Sequence, residues 1–211
     1  MSNGFGAALK EVRRELAQKN TMELARFSGA ALSLYPPLSW REFTIPFLSR
    51  IYQVSWPSGE VLLYNNRKQT TEGVSLILLH YLVNSTGKPP SGNWLRFSHL
   101  PGGNRYYPAF KKRALDPLVG YFGKREKLFS QLILQRLHGR PGKEPGSYQV
   151  MALPRLPLYL RIIPEEGKIP ARSNILFDDT ANEYLPTADL ALVGEVLAVR
   201  LLQWGRARTA R

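Results

Sequence analysis

The stretch Ile51-Tyr52-Gln53-Val54-Ser55-Trp56-Pro57-Ser58-Gly59-Glu60-Val61-Leu62-Leu63-Tyr64, followed shortly by Thr71 and the run Val74 to Val83, decides the fold. Its first half is β-branched and aromatic, Pro57-Ser58-Gly59 supplies a turn, and its second half resumes strand character, which predicts a β-hairpin. Thr71 can then cap a helix through Val83. Leu76, Ile77, Leu78, Leu79, Tyr81 and Leu82 leave that helix almost no polar face, so it should be buried. A hairpin feeding a buried helix points to α+β architecture.

Outward from this centre the pattern holds. Helical spacing of Ala7, Leu9, Val12 and Leu16 predicts a surface helix over 6–19, and Thr21 starts a short one over 22–28 that Gly29 ends. Residues 32–65 read as strands broken by Pro36-Pro37 and Pro46. A Gly-, Pro-, Ser- and Asn-rich loop covers 84–93, a short strand segment 94–100, and a basic helical hairpin 107–121 and 124–137. Strands are expected over 148–153, 156–163 and 174–177. A last helix begins at Thr187 and stops near Gly205, leaving a basic, frayed tail over 206–211. This order of elements predicts a single compact α+β domain over 1–211, a mixed or antiparallel sheet packed against several helices.

Composition narrows the chemistry. The 211 residues contain no cysteine, which removes disulfides, thiolate metal sites and cysteine nucleophiles together. Residues 1–20 lack the apolar core of a signal peptide, and the most apolar run, 74–83, is far short of a membrane span, so a cytoplasmic protein is expected. The formal net charge is +13. Eleven basic residues face only Asp116 and Glu126 between Arg96 and Lys143, whereas residues 151–199 carry an acidic excess. Such a distribution draws phosphates, acidic ligands or an acidic protein to the central segment.

Signature motifs are absent. Thr86-Gly87-Lys88 resembles the end of a phosphate-binding loop, but Leu82 stands where its first glycine belongs and Pro89 where Ser or Thr belongs. His80, His99 and His138 have no metal-ligand spacing, and no metal site is expected. His99 precedes Leu100-Pro101-Gly102-Gly103, whose N–H groups could form an anion nest beside Arg105, Tyr107, Lys111 and Lys112; a plain Gly-Gly turn has the same sequence. Trp94, Phe97, Tyr106, Tyr107 and Phe110 interleave with Arg96, Arg105, Lys111 and Lys112, as base stacking on a cationic groove requires, so residues 105–143 are a candidate nucleic-acid interface. Asp178 and Asp179 end a strand. They form a possible acidic site, either with Glu183 for a hard cation or, as a hydrolase pair, Asp178 with His80 or His99; turn-forming aspartates read the same way.

Several blocks carry a family resemblance: Ile77-Leu78-Leu79-His80-Tyr81-Leu82; Trp94 with Leu100-Pro101-Gly102-Gly103; Tyr107 and Phe110; Ala152-Leu153-Pro154-Arg155-Leu156-Pro157; Ile175-Leu176-Phe177-Asp178; Tyr184-Leu185-Pro186 and Asp189-Leu190-Ala191. Together they resemble the prokaryotic family catalogued as domain of unknown function 3786, found mainly in anaerobes and sometimes fused to a four-cysteine iron–sulfur module. The resemblance implies a ligand- or partner-binding accessory domain near anaerobic redox or corrinoid metabolism, with an iron–sulfur or corrinoid protein as partner. Any cluster would come from that partner, and the chain's own cofactor stays unknown. Here Pro164 to Pro170 departs from the acidic, aromatic stretch that the family tends to place before the last strand.

Overall fold

In β2 (Trp40–Phe47) every second residue from Phe43 turns inward, so Phe43, Ile45 and Phe47 are fully buried. β3 (Arg50–Trp56) answers with Tyr52 and Val54, in register with Ile45 and Phe43. With β1 (Ala31–Tyr35) and β4 (Val61–Leu63) they form an antiparallel sheet of order β1-β2-β3-β4. The computed structural model describes residues 3–35 and 40–209. Pro36-Pro37 and the last two residues of the expected tail therefore lie outside the described part.

α1 (Asn3–Gln18) and α3 (Glu72–Asn84) pack together beside this sheet, with α2 (Thr21–Ser28) against α3. α3 is buried from Val74 to Leu79 and again from Tyr81 to Val83, as its unbroken apolar run requires, and Thr71 caps it by accepting from the Val74 N–H.

The strands are divided between two sheets, both antiparallel, in keeping with the expected α+β class. β5 (Trp94–Arg96), β6 (Arg140–Pro141), β7 (Ser147–Leu153), β8 (Leu156–Ile163) and β9 (Arg172–Asp178) form the second, in the order β5-β9-β8-β7-β6. β8 is central and buried continuously from Leu156 to Leu160, the mark of a strand covered on both faces. The Leu48 N–H donates to the Ala152 carbonyl at 3.0 Å and ties the two sheets together.

The remaining helices are α4 (Gly103–Phe110), α5 (Asp116–Phe122), α6 (Glu126–Arg136) and α7 (Thr187–Thr209). Several boundaries differ from the sequence pattern, and the strand segment expected over 94–100 stops at Arg96 and gives way to a 3-10 turn over Phe97–His99. The basic helical segment begins at Gly103 rather than Tyr107, and between α4 and α5 it widens into a π turn over Lys111–Leu115. α7 runs through Gly205 to Thr209. A Cβ at Gly205 would approach Tyr121 to 2.7 Å, so this glycine lets two helices meet and does not end one. Among the described residues no helix is long and apolar enough to cross a membrane.

Candidate functional site

β5 ends at Arg96, so below Leu176 the edge of β9 pairs only with β8. Beside that open edge lies a cleft of about 310 Å³, with Phe97, Phe110 and Leu115 among its apolar lining. Phe97 and Phe110 stack at 4.2 Å between centroids, and both lean on Phe177, so this wall is rigid core. Arg96, Ser98, Asn104, Tyr107 and Asn174 line the same cleft. None of these five side chains has a hydrogen-bond partner among the described residues, and none of their polar atoms is both buried and unsatisfied. They are free donors and acceptors facing solvent from one recess.

The helix beside the cleft is irregular. Pro108 has no N–H for the Asn104 carbonyl, and the π turn starts one residue after Phe110. Such turns recur at functional sites because they re-aim side chains without ending the helix.

Of the residues that the sequence pattern assigns to an anion site, Tyr107 alone lines this cleft. His99, Arg105 and Lys112 are exposed. Lys111 pairs with Asp116 at 2.6 Å, and that hydrogen bond raises the ammonium pKa above its ordinary value. In the Leu100–Gly103 turn, the Leu100 N–H donates to the Phe97 carbonyl and that of Gly103 to Leu100, so both are spent inside the chain. Gly102 adopts φ +68°, and a Cβ on Gly103 would fall 2.0 Å from the Phe97 carbonyl oxygen. Turn geometry and packing thus account for both glycines. Ser98, Asn104 and Asn174 carried no sequence signal, since isolated polar residues on a turn, a helix and a strand announce nothing until the fold gathers them.

The His–Asp pairing is redrawn. His80 Nδ1 lies 2.5 Å from Asp189 Oδ2, and Asp178 is engaged elsewhere. Asp178 is fully buried and accepts from the Ser91, Gly92 and Thr180 N–H groups and from the Thr180 hydroxyl. Burial pushes its carboxyl pKa up, but those hydrogen bonds outweigh it and hold the group below the ordinary carboxylate value. Asp179 accepts from Ser91 Oγ and Asn93 Nδ2, and Glu183 pairs with Lys88. These acidic residues bind the 88–93 loop to the end of β9. No group of three His, Asp or Glu side chains able to hold a metal occurs among the described residues.

The blocks that carry the family resemblance meet around the start of α7. Thr187 donates to the Pro101 carbonyl at 2.7 Å, which ties the Leu100–Gly103 turn to the helix that presents Asp189. Tyr81 stacks on Tyr184 at 5.7 Å, donates to the Ser28 carbonyl and accepts the Arg155 N–H. Burial raises the Tyr81 phenol pKa far above its usual value, which keeps it a neutral donor.

The chain belongs to the family described as Domain of unknown function (DUF3786), which it matches over residues 27–200. No curated protein and no solved structure matches it.

Proposed function

We propose that this domain is a binding module that holds a small anionic ligand in the cleft between β9 and α4. The observation that carries this reading is the set of five unengaged polar side chains, Arg96, Ser98, Asn104, Tyr107 and Asn174, converging on one recess with an apolar wall. Arg96 makes no ion pair among the described residues, so its charge is available to a carboxylate or phosphate. The amides, hydroxyls and phenol supply orientation, and Phe97 and Phe110 supply apolar contact, the usual division of labour in a ligand site.

A cleft of about 310 Å³ takes a small molecule or one arm of a large one; a whole corrinoid macrocycle does not fit inside it. An accessory role beside an anaerobic redox or corrinoid protein is proposed on the resemblance to the family alone. In that role the cleft would grip an acidic side arm of the partner's cofactor.

The hydrolase reading has less support. The His80 imidazole has Asp189 as its sole hydrogen-bond partner, and no serine or threonine hydroxyl lies in hydrogen-bond reach among the described residues.

Calorimetric titration with inorganic phosphate and with small di- and tricarboxylates tests the binding module. Saturable binding by the wild type, weakened about tenfold or more in Arg96→Ala and less in Tyr107→Phe, is expected, because a hydrogen bond to a charged group is worth about 1.5–3 kcal/mol. Absence of saturable binding, or an Arg96→Ala protein that binds as tightly as the wild type, overturns the reading.

A further inference from the structure

We propose that the groove between α6 and the C-terminal half of α7 binds single-stranded nucleic acid, at a site separate from the β9 cleft. Leu132, Gln135, Arg136, Trp204, Ala207 and Arg208 line this groove, which has a volume of about 400 Å³. Its charge is uncompensated. No aspartate or glutamate occurs between residues 127 and 143 or between residues 196 and 209, while Lys127, Arg136, Arg140, Lys143, Arg206 and Arg208 all do. None of these six cations forms an ion pair among the described residues. Past Glu126 in α6 and past Glu195 in α7, the two packed helices thus present one sign of charge, which concentrates a polyanion at their seam.

The groove is also organised. Gln135 Oε1 accepts from Arg208 Nη1 at 2.9 Å, which holds that guanidinium across the seam. Arg125 stacks on Tyr121 at 4.8 Å and donates to its carbonyl, and the Tyr121 hydroxyl reaches Thr209 at 3.3 Å. The end of α7 is thereby fixed to α5 and the start of α6.

Trp204 is half-buried, and its indole N–H has no hydrogen-bond partner among the described residues and is not buried. An aromatic plane flanked by Arg136 and Arg208 matches a base with its neighbouring phosphates. The same geometry selects against a duplex, whose bases are already stacked on one another. An acidic peptide would satisfy the arginines but would leave the indole without a planar partner.

The experiment is fluorescence anisotropy of a labelled 20-mer of thymidylate against the full chain, over a salt series. Duplex DNA of the same length and a polyglutamate peptide serve as competitors. The proposal expects single-strand binding that the Arg136→Ala/Arg208→Ala protein weakens at least tenfold. That double variant should also flatten the salt dependence, by about 0.7 in log affinity per log salt for each phosphate the protein no longer neutralises. Trp204→Leu should weaken binding several-fold with the salt slope unchanged, because stacking releases no counterions. Both arginines are exposed, so a far-ultraviolet spectrum and melting temperature matching the wild type show that the fold is kept. No binding by the wild type, equal competition by duplex or by polyglutamate at equal charge, or an unaffected arginine variant each overturns the proposal.

Discussion

His80 Nδ1 approaches Asp189 Oδ2 to 2.5 Å, joining the one partly exposed position in the second half of the α3 core run to the first turn of α7. Asp189 is almost wholly buried while the His80 ring is about one quarter exposed. Since an ionised carboxylate only accepts, Nδ1 carries the proton in this contact. Nitrogen-15 correlation spectra of the neutral imidazole should show the Nδ1–H form of His80 in the wild type. Asp189→Ala should shift the ring toward a mixture of tautomers and lower stability by about 1–3 kcal/mol in denaturant unfolding. A wild-type ring in the Nε2–H form would refute the pairing.

Asp178 makes a pH-dependent contribution of known sign. Its folded pKa is depressed, so the stability it confers is fully present above the unfolded value of about 3.9 and is lost as pH falls through the folded value. Asp178→Asn should therefore be less stable than wild type by about 1.5–3 kcal/mol at neutral pH, because an amide cannot accept from all the Ser91, Gly92 and Thr180 donors at once. The gap should begin to close as pH drops below about 4 and disappear once pH has fallen through the depressed folded value, where the wild-type carboxyl is itself protonated. Parallel urea titrations between neutral and acidic pH check this. A gap that stays constant across that range would assign the effect to shape rather than charge.

How much of this was legible in the sequence follows from what each element uses to declare itself. α3 and the β3–β4 hairpin announce themselves through apolar periodicity and turn residues, because their stability resides in burial patterns local to the chain. The β2–β3 turn does not. Leu48 and Ser49 hold φ +47° and +60° with no glycine or asparagine, since Arg200, some 150 residues away, holds the turn from below. The site divides in the same way. Tyr107 and Arg96 stood out as aromatic and basic residues, whereas Asn104, Ser98 and Asn174 become a site only because one edge of β9 is left open below Leu176 beside α4. Asp189 lies two residues past the helix start at Thr187, and only the packing of α3 against α7 makes it the partner of His80.

Arg200 is a buried cation satisfied without a carboxylate. It donates to the Phe47 and Leu48 carbonyls and to the Tyr52 hydroxyl, each at 2.6 Å, and sits over the Phe47 ring at 5.0 Å. Burial lowers its pKa, yet arginine remains protonated in proteins. Arg200→Met fills similar space but orphans two turn carbonyls and a phenol, and should cost about 2–4 kcal/mol. Arg200→Lys should recover only part of that loss, because one ammonium cannot reproduce a planar fork with three partners. Equal stabilities of the methionine variant and the wild type in guanidinium unfolding would remove the residue's assigned role.

Ser49 offers the converse case, a change that should stabilise. It is exposed, and its φ of +60° lies in the left-handed region, which costs an L-residue other than Gly, Asn or Asp about 1–2 kcal/mol. Its neighbour Leu48 shares the strained geometry but is buried at 1% exposure, so its side chain cannot be surrendered without opening a cavity. Ser49→Gly relieves the strain, while the greater freedom of glycine in the unfolded chain returns part of the gain. Ser49→Asn keeps a side chain that tolerates this region and should therefore do at least as well. Thermal unfolding should show both variants more stable than wild type, by about 0.5–1 kcal/mol. A destabilised Ser49→Asn protein would mean that the turn is held in some other geometry than the one Arg200 clamps.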